Sequence, residues 1–203
     1  PYPSGLSRNI SQCLNDYHIP LYLAHIVTRI YGNNRVQGVE IAPYHDGLPD
    51  MTQKKVIPCD TILLSVGLIP ENELSREMGV TLNLDTKGPY VDSHYMTNVD
   101  GIFACGNVLH VHDLVDFVSA EARACAGFII QYVQEPEKKT LQGRISVGSN
   151  IIYVVPHKFE PGRDNTFYLR PFILKNNARL ILSCHGRVLQ EKKLLHVQPS
   201  EMI

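Results

Sequence analysis

The sequence predicts an α/β fold followed by a small all-β domain, and three observations carry that prediction. Asp60-Thr61-Ile62-Leu63-Leu64-Ser65-Val66-Gly67 is a continuous apolar run closed by glycine, the pattern of a strand covered on both faces in a parallel sheet. Thr97 to Asn107 reads as a short buried strand before a Gly-polar turn that opens a long helix. After Gly143 the texture changes to short β-like runs punctuated by Pro, Gly and Asn.

The elements follow in order. Leu6, Ile10, Cys13 and Leu14 recur at helical spacing, so a surface helix is expected from Leu6 to Tyr17, capped by Ser4 or Ser7. Ile19 to Ile30 is rich in β-branched and aromatic residues, and the Tyr31-Gly32-Asn33-Asn34 turn joins it to a second strand, Arg35 to Ala42. A polar loop from His45 to Gln53 precedes a third strand, Lys54 to Pro58, which completes an antiparallel meander. Beyond the apolar run, Glu73 to Met78 makes one or two helical turns closed by Gly79. Val80 to Val91 forms short strands around Asp85-Thr86-Lys87-Gly88. A helix from Asp113 to Gln134 carries a broad stripe of Leu114, Val115, Phe117, Val118, Ala122, Cys125, Phe128, Ile129 and Tyr132. Glu135-Pro136-Glu137-Lys138-Lys139 ends it as a charged linker. Ile151–Val155, Thr166–Leu169, Ala178–Cys184 and Leu194–Val197 then read as strands of a sandwich or barrel fragment.

Composition bounds the partners. A net charge of -1, from 19 basic and 20 acidic residues spread along 203, leaves no electrostatic footprint for nucleic acid or an anionic membrane. No apolar run reaches the roughly 18 residues of a membrane span. Five cysteines, Cys13, Cys59, Cys105, Cys125 and Cys184, form no Cys-x-x-Cys pair, which argues against a zinc cluster, a secreted disulfide framework and a local redox dithiol. The expectation is a cytoplasmic chain with reduced thiols, Cys13, Cys59 and Cys105 filling core positions.

The segment Gly101-Ile102-Phe103-Ala104-Cys105-Gly106-Asn107 closely resembles the second flavin-contacting motif of the pyridine nucleotide-disulfide oxidoreductases, where a Gly-Asp pair after Gly-Ile-Phe-Ala holds the ribityl chain of FAD. Here Asn107 replaces the Asp; an amide both donates to and accepts from a hydroxyl. Gly67-Leu68-Ile69-Pro70-Glu71-Asn72 resembles the family's strand-Gly-x-x-Pro-Asn crossover from the NAD-binding to the FAD-binding domain. The resemblance covers about residues 1 to 135. It implies a partial FAD/NAD(P)-binding, Rossmann-like three-layer domain: residues 1–66 as the later part of an NAD(P) domain and 67–138 as the returning part of an FAD domain, with 144–203 as the small β domain. FAD is then the expected cofactor, with NAD(P) in the parent protein. Gly67, Gly106, Asn107, Val115, Asp116 and Phe117 are the expected cofactor-binding residues, Gly67 because a side chain there would collide with the cofactor side of the sheet.

No Gly-x-Gly-x-x-Gly fingerprint follows a strand anywhere in the sequence, so most pyrophosphate anchoring is expected from an upstream segment of the same protein. The opening Pro1-Tyr2-Pro3-Ser4-Gly5, without Met, fits a C-terminal portion that is inactive alone. Sheets lacking first strands expose edges, which favours self-association. The turn Leu109-His110-Val111-His112-Asp113 is longer and more polar than in the thioredoxin reductases and resembles that of NAD(FAD)-dependent dehydrogenases. It makes His110 and His112 the candidates for a proton relay or substrate contact. The plainer alternative is a ring that fills an interface and hydrogen-bonds to Asp113 or Asp116. No metal is expected, because no third separated ligand is evident. His157, His185 and His196 read as surface or turn residues. Two functions fit: the C-terminal part of a flavin-dependent oxidoreductase transferring hydride between NAD(P)H and FAD, or a nonenzymatic module that binds a partner subunit through the β domain.

Overall fold

A computed structural model describes residues 7–135 and 142–203. The opening pentapeptide, Leu6, the Ser4 cap, the Ser7 side chain and residues 136–139 of the linker lie outside what it describes. The chain is α/β and divides into two units, Pro1–Gly67 and Leu68–Ile203.

In the first unit, α1 (Ser7–Ile10) widens into a π turn over Ser11–Asn15 and ends at Asp16. The meander follows as β1 (His25–Tyr31), β2 (Gly38–His45), β3 (Leu48–Pro49) and β4 (Lys55–Ile57). β2 is central: Val39 pairs with Ile30 on one side and Ile57 on the other, both antiparallel. The loop expected from His45 to Gln53 instead begins with a tight hairpin. Asp46 and Gly47 take φ of 50° and 86°, the left-handed pair that the Asp-Gly dipeptide favours, and Tyr44 pairs with Pro49 across them. Glu40 is buried on β2, where Thr28 Oγ1 (2.8 Å) and the Tyr31 hydroxyl (3.0 Å) donate to its carboxylate and Lys54 Nζ lies at 3.1 Å.

The apolar run after Asp60 corrects its prediction. Residues 61–67 form no strand, and Leu63, Leu64 and Val66 are exposed. Every ladder among the described residues is antiparallel, so no neighbour supplies the two covering faces this sequence pattern suits.

The second unit opens with α2 (Glu73–Glu77). Its end is a Schellman closure: Gly79 at φ 75° donates to Arg76 O (3.0 Å) and Val80 to Ser75 O (2.9 Å). Asn72, just before α2, is buried and acts as a clamp. Its amide donates to Lys87 O (3.1 Å) and Val108 O (2.8 Å), tying the 83–88 turn to the segment that carries the histidines. Gly88 packs beneath that segment, and a Cβ there would lie 1.8 Å from Leu109 O.

The expected strand 97–107 is reduced to one bridge, Met96 with Phe103, which leads into a 3-10 turn over Gly106–Val108. The long helix α3 (Val115–Gln134) starts two residues later than expected. Its buried residues, Glu121 and Cys125, continue through Phe128 to Tyr132, a narrower stripe than the sequence suggested.

After residue 142 come β5 (Gly143–Arg144), β6 (Ile151–Val155), β7 (Lys158–Phe159), β8 (Tyr168–Pro171), β9 (Lys175–Cys184) and β10 (Arg187–Val197). They pair as three two-stranded ladders, β5 with β7, β6 with β8 and β9 with β10, so neither sandwich nor barrel forms among the described residues. Nor do they own a separate core. Tyr153 and Val155 of β6 share one buried cluster with Val91, Tyr95, Ala104, Leu109 and Cys125. The boundary expected between 138 and 144 therefore does not divide the hydrophobic interior.

Candidate functional site

Of the sequence candidates at the corner after Phe103, Gly106 is buried and Asn107 is accessible. Gly106 has φ 71°, a conformation other residues enter at a cost, and Asn107 is exposed beside it. Asn107 Oδ1 accepts the His112 N–H at 3.2 Å, which ties the corner to the histidine loop. α3 begins with Leu114 as its cap and no side-chain hydrogen bond there, so the first N–H groups, Val115 and Asp116, have no side-chain cap. Val115, Asp116 and Phe117 are exposed around this helix start, and Asp116 complements its positive end. Gly67 behaves differently from its expectation. Its φ is 93°, yet a Cβ there would meet open space, so conformation and not collision is what favours glycine.

His110 and His112 do not face that opening. Both are buried, and the structure joins them to a residue the sequence did not single out, Glu121 on the second turn of α3. His112 Nε2 touches Glu121 Oε2, and His110 Nε2 lies 3.4 Å from the same oxygen. The expected partners are engaged elsewhere or on the surface: Asp113 pairs with Arg170 at 2.9 Å, and Asp116 is exposed. Glu121 is the third separated ligand group that seemed lacking, and His110, His112 and Glu121 place their donor atoms within 4.8 Å of one another. A signal was present: position 121 falls between Val118 and Cys125 at core helical spacing, where a carboxylate must have a reason.

Charge and burial set the protonation states. Burial chiefly pushes the His110 imidazole below its ordinary value, so it stays neutral near pH 7. Burial alone would raise the Glu121 carboxyl, but His110 and His112 together outweigh that and hold it below the usual carboxylate range. The rings of Tyr153 and Tyr168 wall the cluster, with Tyr168 5.4 Å from His110 and 5.2 Å from His112.

Arg170 on β8 fixes the loop from behind. It pairs with Asp113, donates to Val111 O (3.0 Å) between the two histidines, and reaches Tyr153 Oη (3.3 Å) and Pro199 O (3.4 Å). Asp113 also accepts the Met202 N–H at 2.5 Å, which brings the C-terminal segment to the same anchor.

Two other expectations change, and a third gains detail. His157 lies half-buried in the bend between β6 and β7: Nδ1 accepts the Val91 N–H (3.3 Å), Nε2 lies 3.2 Å from Asn83 Nδ2, and burial drives the ring down to about 4. Cys13 is exposed and Cys59 half-buried, because the elements around them leave them outside the core. Cys105 is half-buried and packs against the cluster that holds Cys125, whose neighbouring thiol draws it below its ordinary value, so two thiols distant in sequence meet where no local dithiol was legible. His185 and His196 are exposed, His185 in the β9–β10 turn.

A family model described as pyridine nucleotide-disulphide oxidoreductase matches residues 1–125. The NAD(P)H sulfur oxidoreductase (CoA-dependent) of Pyrococcus abyssi (strain GE5 / Orsay) is 28% identical over 98 residues, 48% of this chain and 19% of that protein. The mitochondrial dihydrolipoyl dehydrogenase of Caenorhabditis elegans is 30% identical over 105 residues, 51% of this chain and 20% of that protein. The chain thus spans about a fifth of the length of these curated relatives. Among solved structures, the thioredoxin reductase of T. acidophilum superposes with a TM-score of 0.47 at 27% identity, over 61% of this chain and 38% of that one.

Proposed function

Because this chain belongs to the pyridine nucleotide-disulphide oxidoreductase family, with residues 1–125 matched, we propose that it is the C-terminal portion of a cytoplasmic flavoprotein transferring hydride between NAD(P)H and FAD. Electrons then pass to a further acceptor. FAD and NAD(P)H are the cofactors of this family.

The observation that carries the reading is the corner at residues 106–117. An exposed Asn107 follows a glycine at positive φ, beside the uncapped start of a 20-residue helix. With Oδ1 committed to His112 N–H, the Asn107 amide keeps its Nδ2 donors for a ribityl hydroxyl. FAD supplies, when bound, a ring that accepts hydride and gathers negative charge at its pyrimidine edge. The N–H groups of Val115 and Asp116 would stabilise that charge with dipoles already aligned, while Phe117 would cover apolar surface.

The test is a flavin titration of the protein together with its upstream sequence, read by bound-flavin absorbance. Asn107→Ala should weaken FAD binding about tenfold, the worth of one hydrogen bond to a polar partner, and Asn107→Asp should retain it. A protein that binds no flavin, or an Asn107→Ala variant with unchanged affinity, overturns the reading.

A further inference from the structure

Five buried side-chain atoms among the described residues lack a hydrogen-bond partner, and four belong to one cluster: His110 Nδ1 and Nε2, His112 Nδ1 and Glu121 Oε1. The three side chains are fully buried. A buried polar atom left unpaired is costly, so a group that bonds one atom of each side chain would relieve part of that cost.

We infer that His110, His112 and Glu121 bind one divalent transition-metal ion of the zinc class. The inference goes beyond the flavin reading and does not depend on it. Two imidazoles with one carboxylate suit Zn²⁺ and its neighbours, whereas Mg²⁺ and Ca²⁺ prefer oxygen donors throughout. The geometry is close to what such an ion needs. All three residues offer a donor atom within 4.8 Å of the others, and the 3.4 Å between His110 Nε2 and Glu121 Oε2 matches the edge of a tetrahedron with bonds of about 2.1 Å, while His112 Nε2, which touches that same oxygen, must draw back from it to admit the ion.

Electrostatics agree. The ion pairs of Glu121 among the described residues are with the two imidazoles, while the cation Arg170 is committed to Asp113. A buried carboxylate needs a positive partner, and a dication bridging it to the two imidazoles provides one. The ligands also come from independently held elements. The His110–His112 loop is anchored by Asn72, Arg170 and Asn107, and Glu121 by α3. Tyr153 and Tyr168 limit water around the ion.

The experiment strips the full chain with chelator, titrates it with Zn²⁺ and with Co²⁺, and measures metal per chain by elemental analysis. One equivalent of zinc, visible d–d bands with cobalt, and an at least tenfold loss of zinc affinity in Glu121→Gln and His110→Gln are the expected results. Absence of retained zinc overturns the site and leaves a proton shared among the three groups; stoichiometric binding that Glu121→Gln does not change assigns the metal to other histidines and overturns it equally. Should the variants fail to fold, X-ray absorption at the zinc edge of the unaltered chain decides: two imidazoles and a light-atom ligand support the site, and sulfur or all-oxygen coordination rejects it. Zinc binding without flavin binding would sustain this inference while sinking the previous one.

Discussion

Residues 61–67 and residues 109–113 invert the usual relation between polarity and burial. Leu63, Leu64 and Val66 are 91%, 80% and 91% exposed, whereas His110 is 0% and Glu121, which joins it, is 0%. Burial here follows available partners and not side-chain polarity. The apolar run has no neighbouring strand among the described residues, while the polar loop is enclosed by α3, β6 and β8 and anchored by Asn72 and Arg170. An exposed leucine forgoes a gain; a buried carboxylate without partners incurs a large cost.

The contrast can be tested from its costly end downward. Arg170→Ala removes the partner of Asp113 and three further hydrogen bonds, and should lower unfolding free energy by about 3–5 kcal/mol, measured by urea denaturation. A loss under about 1 kcal/mol would mean the loop does not rely on this anchor. Gly88→Ala should cost about 2–3 kcal/mol by forcing a Cβ into the Leu109 carbonyl, a backbone group that cannot swing aside. It should also disturb the His110 imidazole resonance in NMR spectra; an unshifted resonance would separate that turn from the cluster.

His157 supplies a pH test. Its folded value, about 4, lies below the ordinary 6.5, so its neutral form stabilises the fold fully above pH 6.5. As pH falls from about 6.5 to about 4 the unfolded chain takes up the proton first, and stability falls by up to about 3 kcal/mol from this ring. Protonation in place would set ring N–H groups against the Val91 N–H and the Asn83 amide. His157→Gln should flatten that portion of the pH profile of the denaturation midpoint; an unchanged slope would assign it elsewhere. The smallest effect is expected at Leu63→Ser, within about 0.5 kcal/mol in this chain. A larger loss would show that the exposed run is covered in solution.

Much of the local structure was legible because its signals span only a few residues. The Gly79 closure of α2, the β6 strand and the length of α3 follow from turn chemistry, β-branching and periodicity. The Asp46-Gly47 hairpin was equally local, and its dipeptide signal was passed over in favour of a polar loop. At the site, His110, His112, Gly106 and Asn107 were nameable from spacing and resemblance. Glu121 was not, because it looked like one more charged helix residue until α3 turned that face inward. Arg170 and Cys125 were hidden for a related reason: each meets its partner across a separation of many residues, 57 in the case of Arg170 and Asp113.

By itself the sequence determined the α/β class, the family and the approximate positions of the helices and most of the turns, since backbone preferences and short-range periodicity act within a few residues. Only the tertiary structure decided that a His-x-His loop and a helix glutamate share one closed interior, and that β6 completes the core begun by Val91 and Tyr95. Such contacts join segments far apart along the chain, and no short-range preference encodes which distant side chain will arrive to satisfy a buried charge.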